Sequence, residues 1–285
     1  SMVKTASKKL GYHYCSVDTF MQIIENKTLW LSHSRTMNDK LECVYILDIL
    51  KQVIKDVNFQ DDSKKSILDE IEKSCKNNVD YPYIISLSKN KDLLSQWRAY
   101  GDKGKGVAIG LDLSKIPHKD LLGNGNTDSN IIIDEVCYKT KTIYSILKKM
   151  LETIPYLTDK YIERKPIIEY ICQFIKILSA FTKNSTFSEE KEYRICYFPC
   201  YRYLLKNLYK ENVEIEQHLD LKFRTKNSEI ISYFEYNFSD DVVSEIIFGP
   251  TTRVNKNQLT LFLSQYLPKI KIKNRIIDSK IPLTY

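Results

Sequence analysis

The chain has 285 residues, 43% of them hydrophobic, which exceeds the usual single-domain size but suits one enlarged domain with a sizeable core. No stretch reaches the roughly 18 uninterrupted apolar residues of a membrane-spanning helix, and Val3 to Leu10 carries Lys4, Lys8 and Lys9 without the apolar run of a secretory signal, so a cytosolic protein with no membrane partner is expected. The net charge of +7 comes from 43 basic residues, spread rather than clustered, against 36 acidic ones; it permits an anionic partner without identifying one.

Ser1-Met2 reads as an expression remnant and is set aside. Gly11 to Cys15 is short and aromatic, Val17 to Glu25 has apolar residues at helical spacing with Asp18 as the expected N-cap, and Thr28 to Ser32 reads as a strand. Leu41 to Val57 and Ser63 to Cys75 show helical patterning, and Pro82 ends that run. Tyr83 to Ser88 is β-rich, Leu93 to Tyr100 a short helix, and Gly106 to Asp112 a strand entered through the turn at Gly101 to Gly106. Ile131 to Tyr138 is a further strand, and Thr142 to Leu157 and Tyr161 to Phe181 are amphipathic helices. Glu192 to Tyr197 alternates like a half-buried strand. Ile230 to Phe238, Val243 to Phe248 and Ile270 to Ile277 are strands, and Asn257 to Leu267 is a helix. This order predicts a single α+β domain over residues 3–285, with a mixed, largely antiparallel split sheet, flanking helices and a helical insertion at 142–182.

His13 lies between Tyr12 and Tyr14, and strand alternation turns its imidazole to the face opposite both rings. A donor–acceptor ring there suits a ribose hydroxyl or a phosphate, or serves as a satisfied, partly buried side chain. Period-2 geometry places Glu190, Glu192 and Arg194 on one face, with Tyr193 and Ile195 toward the core: a carboxylate beside a guanidinium is a site pair or a plain surface ion pair. Trp97 and Tyr100, three apart on a helix, are positioned to stack on a planar ring and Arg98 to meet a phosphate, or the group anchors packing. Asn38, Asp39 and Glu42 form a polar group whose plainer use is to cap the next helix. The seven cysteines contain no Cys-x-x-Cys, and Cys196 and Cys200 have no nearby His, so reduced, mostly buried thiols are expected rather than zinc. Gly101 to Gly106 precedes a strand and lacks dinucleotide-fold glycine spacing, and the zincin, Gly-x-Ser-x-Gly and P-loop motifs are absent.

Tyr12-His13-Tyr14, Leu29-Trp30-Leu31-Ser32, Asn38-Asp39 with Glu42, Leu87-Ser88 with Trp97 and Tyr100, Gly106 to Leu111, Glu190-Lys191-Glu192-Tyr193-Arg194, Ile246 to Pro250 and Ser279 to Pro282 together resemble a bacterial family catalogued as domain of unknown function 2971. Lys40 stands where that family usually has proline. The layout is also similar, more distantly, to the ADP-ribosyltransferase fold of the His-Tyr-Glu kind. That resemblance implies NAD as cofactor, with His13 and Tyr14 at the adenosine ribose and Glu192, or less favourably Glu190, at the nicotinamide ribose. There Glu192 would stabilise the positive charge that develops as nicotinamide leaves. Ser86, or an aliphatic neighbour, stands where a stacking Tyr is expected, and Trp97 or Tyr100 would replace that ring, with Arg98 and Arg194 at the charged end of the site.

Three readings follow. The first is an NAD-using ADP-ribosyltransferase-like enzyme, a toxin or antiphage effector that modifies protein or nucleic acid. The second is a non-catalytic nucleotide- or nucleic-acid-binding module of a bacterial defence system, with phosphates on lysines and stacking on Trp97, Tyr100 and Tyr193. The third, weaker, is a metal-dependent nuclease using Asp39, Glu42, Glu190 and Glu192.

Overall fold

The computed structural model describes residues 9–34, 44–57, 62–77, 82–125, 129–158, 164–199, 219–226, 228–268 and 275–282. The polar group Asn38, Asp39 and Glu42, with Lys40, lies outside them, as does most of the strand expected at Ile270 to Ile277.

The chain begins with β1 (Leu10–Cys15), α1 (Val17–Asn26) and β2 (Thr28–His33). Helix α1 starts on Ser16 rather than Asp18: the Ser16 hydroxyl accepts from the Thr19 amide, and Asp18 lies in the first turn. It ends where Lys27 adopts a left-handed conformation, φ 53°, which turns the chain directly into β2. Helices α2 (Tyr45–Asp56) and α3 (Asp62–Asn77) follow, then β3 (Tyr83–Ser88), α4 (Leu94–Ala99) and β4 (Val107–Asp112). Beyond these come β5 (Ile131–Glu135), α5 (Thr140–Thr158), α6 (Arg164–Ala180), β6 (Glu192–Tyr197) and the hairpin β7 (Leu221–Lys226) and β8 (Glu229–Asn237). The chain closes with β9 (Val243–Phe248), α7 (Lys256–Tyr266) and β10 (Ile276–Asp278).

The strands form one mixed sheet in the order β10-β9-β4-β1-β3-β2-β8-β7, with β6 and β5 branching from β3. Among the described strands only β10 against β9 is parallel; the other pairings are antiparallel, as expected for this α+β class. The branch makes the split. Along one edge β6 pairs with β3 from Tyr83 to Ser88. Along the other edge β1 meets β3 only at Tyr12 opposite Ser88, and β2 meets it only at Ser32 and His33 opposite Ile84 and Tyr83. Ile85, Ser86 and Leu87 are left between two diverging strands, joined at the far side by α1.

Each face of the sheet is closed differently. Helices α1 and α7 cover one face through Phe20, Ile24, Leu259 and Leu263, packed on Leu29, Leu87, Ile109 and Ile195. On the other face α4 covers β1, β4 and β9 through Trp97, packed with Tyr12, Tyr14, Ala108 and Ile247. The end of α6 covers β5 and β6 through Ile177 and Phe181, against Ile132 and Cys196. The α5–α6 pair does not stand alone, because its apolar faces join those of α2 and α3 in one cluster that includes Leu50, Ile71, Leu147 and Ile171. Between the α4 cover and the α6 cover, part of this face stays open.

The glycine turn before β4 is a close-packing device. A Cβ at Gly106 would lie 2.1 Å from the Cys15 carbonyl oxygen, and one at Gly249 would lie 2.3 Å from the Gly104 carbonyl oxygen. Three backbone segments therefore touch where β1 ends, β4 begins and β9 ends, with the Gly249 amide donating to the Gly106 carbonyl at 3.0 Å. The Gly106→Ala variant is expected to lose about 1–3 kcal/mol of stability by urea unfolding, through backbone displacement in a packed site. Stability equal to the wild type would show that the three segments are not held in contact.

Candidate functional site

The open part of the sheet is a cavity of about 840 Å³. Directly opposed residues of an antiparallel ladder share a face. The register therefore carries one face from Trp30 and Ser32 through Ile84, Ser86 and Ser88 to Glu192 and Arg194, and outward through Tyr233 and Glu235 to Lys222. His13 and Tyr14, Ser86, Tyr100 and Glu192, all expected site residues, line this one cavity.

His13 points away from Tyr12 and Tyr14 into the divergence of β1 from β2, where its ring hydrogen-bonds the Ser86 backbone. Burial pushes its pKa down to about 4, against a partial upward pull from that hydrogen bond, so the imidazole is neutral near pH 7. Tyr14 lines the cavity with its ring, while its hydroxyl donates to the Asn90 carbonyl at 2.7 Å and accepts from the Leu93 amide at 3.1 Å. It thus braces the segment that leads into α4. The Ser86 hydroxyl is buried without a hydrogen-bond partner among the described residues.

The other end of the cavity holds a charged group. Glu192 is 5% exposed and Arg194 has no exposed surface. The Arg194 Nε donates to Glu192 Oε2 at 2.9 Å and its Nη1 to the Ala180 carbonyl at 2.6 Å. Lys183 Nζ bridges two carboxylates, donating to Glu192 Oε1 at 2.8 Å and to Glu190 Oε2 at 2.6 Å. Burial alone would raise the pKa of Glu192, but the Arg194 and Lys183 charges and a hydrogen bond from Glu190 outweigh it and hold the carboxyl well below the usual range. For Glu190 the balance reverses: burial, then the hydrogen bond and charge of Glu192, push it up to about 7 despite Lys183. The two carboxyls therefore titrate apart, Glu192 first and Glu190 near neutrality.

The two glutamates do not converge by simple alternation. Glu190 ends a 3₁₀ turn (Ser185–Glu190), and Lys191 sits in the left-handed region at φ 43° before β6 starts at Glu192. This kink is held by the Lys89 amide donating to the Lys191 carbonyl at 2.8 Å and by the Ser88 hydroxyl donating to the Glu190 carbonyl at 3.1 Å. A non-glycine residue in that conformation beside a buried charge group is where backbone strain is commonly kept for function.

Three expected contacts are corrected. Trp97 has no exposed surface; its ring packs edge-on against Tyr14 with centroids 4.7 Å apart, and its Nε1 donates to Asp92 at 2.7 Å, so it is a packing anchor and not a stacking platform. Arg98 is exposed on α4 and does not line the cavity. Arg194 lies beneath Glu192 with no exposed surface and acts on the site through that carboxylate. Tyr100, 42% exposed at the rim, keeps its ring accessible. Tyr193 faces the core as expected, its hydroxyl donating to Glu135 at 3.1 Å.

The site also uses residues that carried no signal in the sequence. Lys183 lies in the bend after α6 and meets Glu192 only through the fold. Arg224 on β7 lines the cavity, its guanidinium 5.0 Å from the Trp30 ring centre and 5.8 Å from that of Tyr233, and its Nη2 donates to the Ser32 hydroxyl at 3.0 Å. Among the described residues no cluster of His, Cys, Asp or Glu has the arrangement of a metal centre, and Asp39 and Glu42 lie outside them. No described helix is long and apolar enough to cross a membrane.

Fold and site together define an α+β protein built around a cleft in a split, largely antiparallel sheet. Residues 96–195, about a third of the chain, match the model of the family described as "Protein of unknown function (DUF2971)". The matched stretch runs from α4 to β6 and contains Tyr100, Lys183, Glu190, Glu192 and Arg194 but not His13. No match was found among curated proteins or among solved structures.

Glu190 should be visible in the pH dependence of stability. Its pKa rises from the ordinary 4.5 to about 7 on folding, so the folded chain holds the proton more strongly. That contribution is full below the unfolded value and is lost as pH rises through the folded one. The melting temperature of Glu190→Gln relative to the wild type is therefore expected to rise between about pH 5 and pH 8. A difference that stays flat with pH would mean that Glu190 titrates normally.

Proposed function

We propose that the chain is an NAD-dependent ADP-ribosyltransferase-like enzyme acting on a protein or nucleic-acid acceptor. The observation that carries the proposal is the meeting of His13, on a strand that diverges at the split, with Glu190 and Glu192 in one cavity of about 840 Å³. That volume lies within the range of small-molecule sites. A neutral imidazole, an accessible aromatic ring at Tyr100, the Arg224 cation and two carboxylates form a donor set that fits a dinucleotide. When bound, NAD would supply the ADP-ribosyl group and nicotinamide as the leaving group.

The residues of the chain divide the work by their charge states. His13, neutral near pH 7, offers a ring nitrogen to a ribose hydroxyl. Glu192 stays ionised and supplies fixed negative charge on the floor of the cleft, oriented by Arg194 and Lys183. Glu190, poised at about 7 and less buried than Glu192, is suited to take the proton from an incoming acceptor. Tyr100 is the ring available for stacking, since Ser86 has none and Trp97 is sealed in the core.

A second reading has one observation in its favour. Both oxygens of Glu192 are engaged by cations, Oε1 by Lys183 and Oε2 by Arg194, which lowers the negative potential left for catalysis. A cleft that binds a nucleotide without turning it over has the same geometry.

Turnover separates the two. Millimolar NAD is expected to raise the melting temperature of the wild type, with slow nicotinamide release detectable by chromatography. Glu190→Gln is expected to slow transfer to an acceptor by about 10²–10⁴-fold while preserving the NAD-induced thermal shift. A thermal shift with no nicotinamide released would favour the binding reading, and no shift at all would remove NAD from both.

A further inference from the structure

We infer that Arg224, with the Ser32 hydroxyl and the Trp30 and Tyr233 rings, forms an anion subsite that takes a phosphate or pyrophosphate group of the ligand in the cleft. The inference names a ligand class for the site proposed above, but it stands on a different set of residues and does not require that ligand to be NAD.

Four observations carry it. Arg224 lines the cavity, on the same face of the β7–β8 hairpin as Lys222. Its Nε is buried and has no hydrogen-bond partner among the described residues. No carboxylate among them forms an ion pair with it, although Lys222, two residues earlier on the strand, pairs with Glu235. Trp30 and Tyr233 lie against the guanidinium, and Ser32 accepts from one Nη2 hydrogen, so the side chain is aimed rather than free to turn.

A guanidinium that keeps its charge, loses part of its water and gains no anion is costly to hold. The lowered pKa of Arg224, caused by burial against a smaller opposing effect of Tyr233, expresses the same imbalance. An anion on the cavity side of the guanidinium would restore it through charge-assisted hydrogen bonds, the chemistry phosphates share with carboxylates. Pyrophosphate chemistry is favoured over a simple carboxylate by the position of the subsite. Ser32 stands opposite Ile84, and Glu192 opposite Ser88, four residues further along β3. At 3.3 Å per residue the two ends of the cleft are about 13 Å apart along the strand. A ligand that spans them is elongated, with its anion at the Arg224 end and its polar group beside His13 and the glutamates.

The test is calorimetric titration of wild type, Arg224→Gln and Arg224→Lys with inorganic pyrophosphate, ADP and NAD. The wild type is expected to bind pyrophosphate and ADP competitively. Arg224→Gln should weaken both by about tenfold or more, and Arg224→Lys should fall between because it keeps the charge and loses the fork. Circular dichroism and melting temperature serve as folding controls, and the loss of a partnerless buried Nε should leave both close to wild type. Pyrophosphate bound equally by Arg224→Gln, or not bound by the wild type, would overturn the subsite. If pyrophosphate and ADP bind through Arg224 but NAD does not bind, the subsite stands and the NAD reading falls. If NAD binds equally to wild type and Arg224→Gln, the NAD reading stands and the subsite falls.

Discussion

Arg194 carries a full charge on a side chain with no exposed surface, and Glu192, two residues before it on the same strand, supplies the opposing charge. The pair cannot be considered without Lys183, which takes the other oxygen of Glu192 and then reaches Glu190. Two cations and two carboxylates lie together at the end of β6, and the separate titration of the two glutamates follows from their closeness. Each neighbouring element is tied to this group: α6 through the Ala180 carbonyl, β3 through Ser88, and the segment after β5 through the Tyr138 hydroxyl, which accepts from the Glu192 amide at 3.1 Å. Neutralising Glu192, the carboxylate that meets both cations, leaves unpaired charge in a dry place, so the architecture around the cleft depends on it.

The split of the sheet is the second constraint. Because β6 occupies one whole edge of β3, β1 and β2 must divide the other, and their divergence exposes backbone that a regular sheet would pair. His13 fills part of this gap by hydrogen-bonding the Ser86 backbone, and the rest is the cavity. The packing of Trp97 on Tyr14 closes one side of the cleft and the β7–β8 hairpin bounds the other. The opening is thus the consequence of how three strands share one neighbour, with the glutamates gathered at one end and Arg224 at the other.

Much of this was legible in the residues. The strands at Tyr12, Tyr83, Gly106 and Glu192 and the helices between them follow from period-2 and period-3.6 patterning of buried positions, and the face assigned to His13 is the one it occupies. What stayed hidden depends on contacts distant in sequence. Trp97, Arg98 and Tyr100 look alike as ligand contacts from their chemistry; only the packing of Tyr14 on α4 shows that Trp97 is sealed while Tyr100 is open. Strand β7 gave no clear pattern because Leu221 and Phe223, on its outward face, are themselves exposed, at 48% and 63%. Arg224 was missed with it. Lys183 follows a helix end and has no local feature that separates it from the many other lysines, and the left-handed Lys191 between two glutamates has no signature of its own.

The central claim is that the divergence of β1 from β2 is a nucleotide cleft with its charged group at Glu192 and its anion end at Arg224. A crystal structure of the wild-type protein grown with ADP-ribose tests it most directly. The account predicts the ligand lying along the split, a ribose within hydrogen-bonding distance of His13 or the glutamates and phosphate oxygens on the Arg224 guanidinium. A ligand bound elsewhere on the chain, with His13, Glu192 and Arg224 untouched, would contradict it.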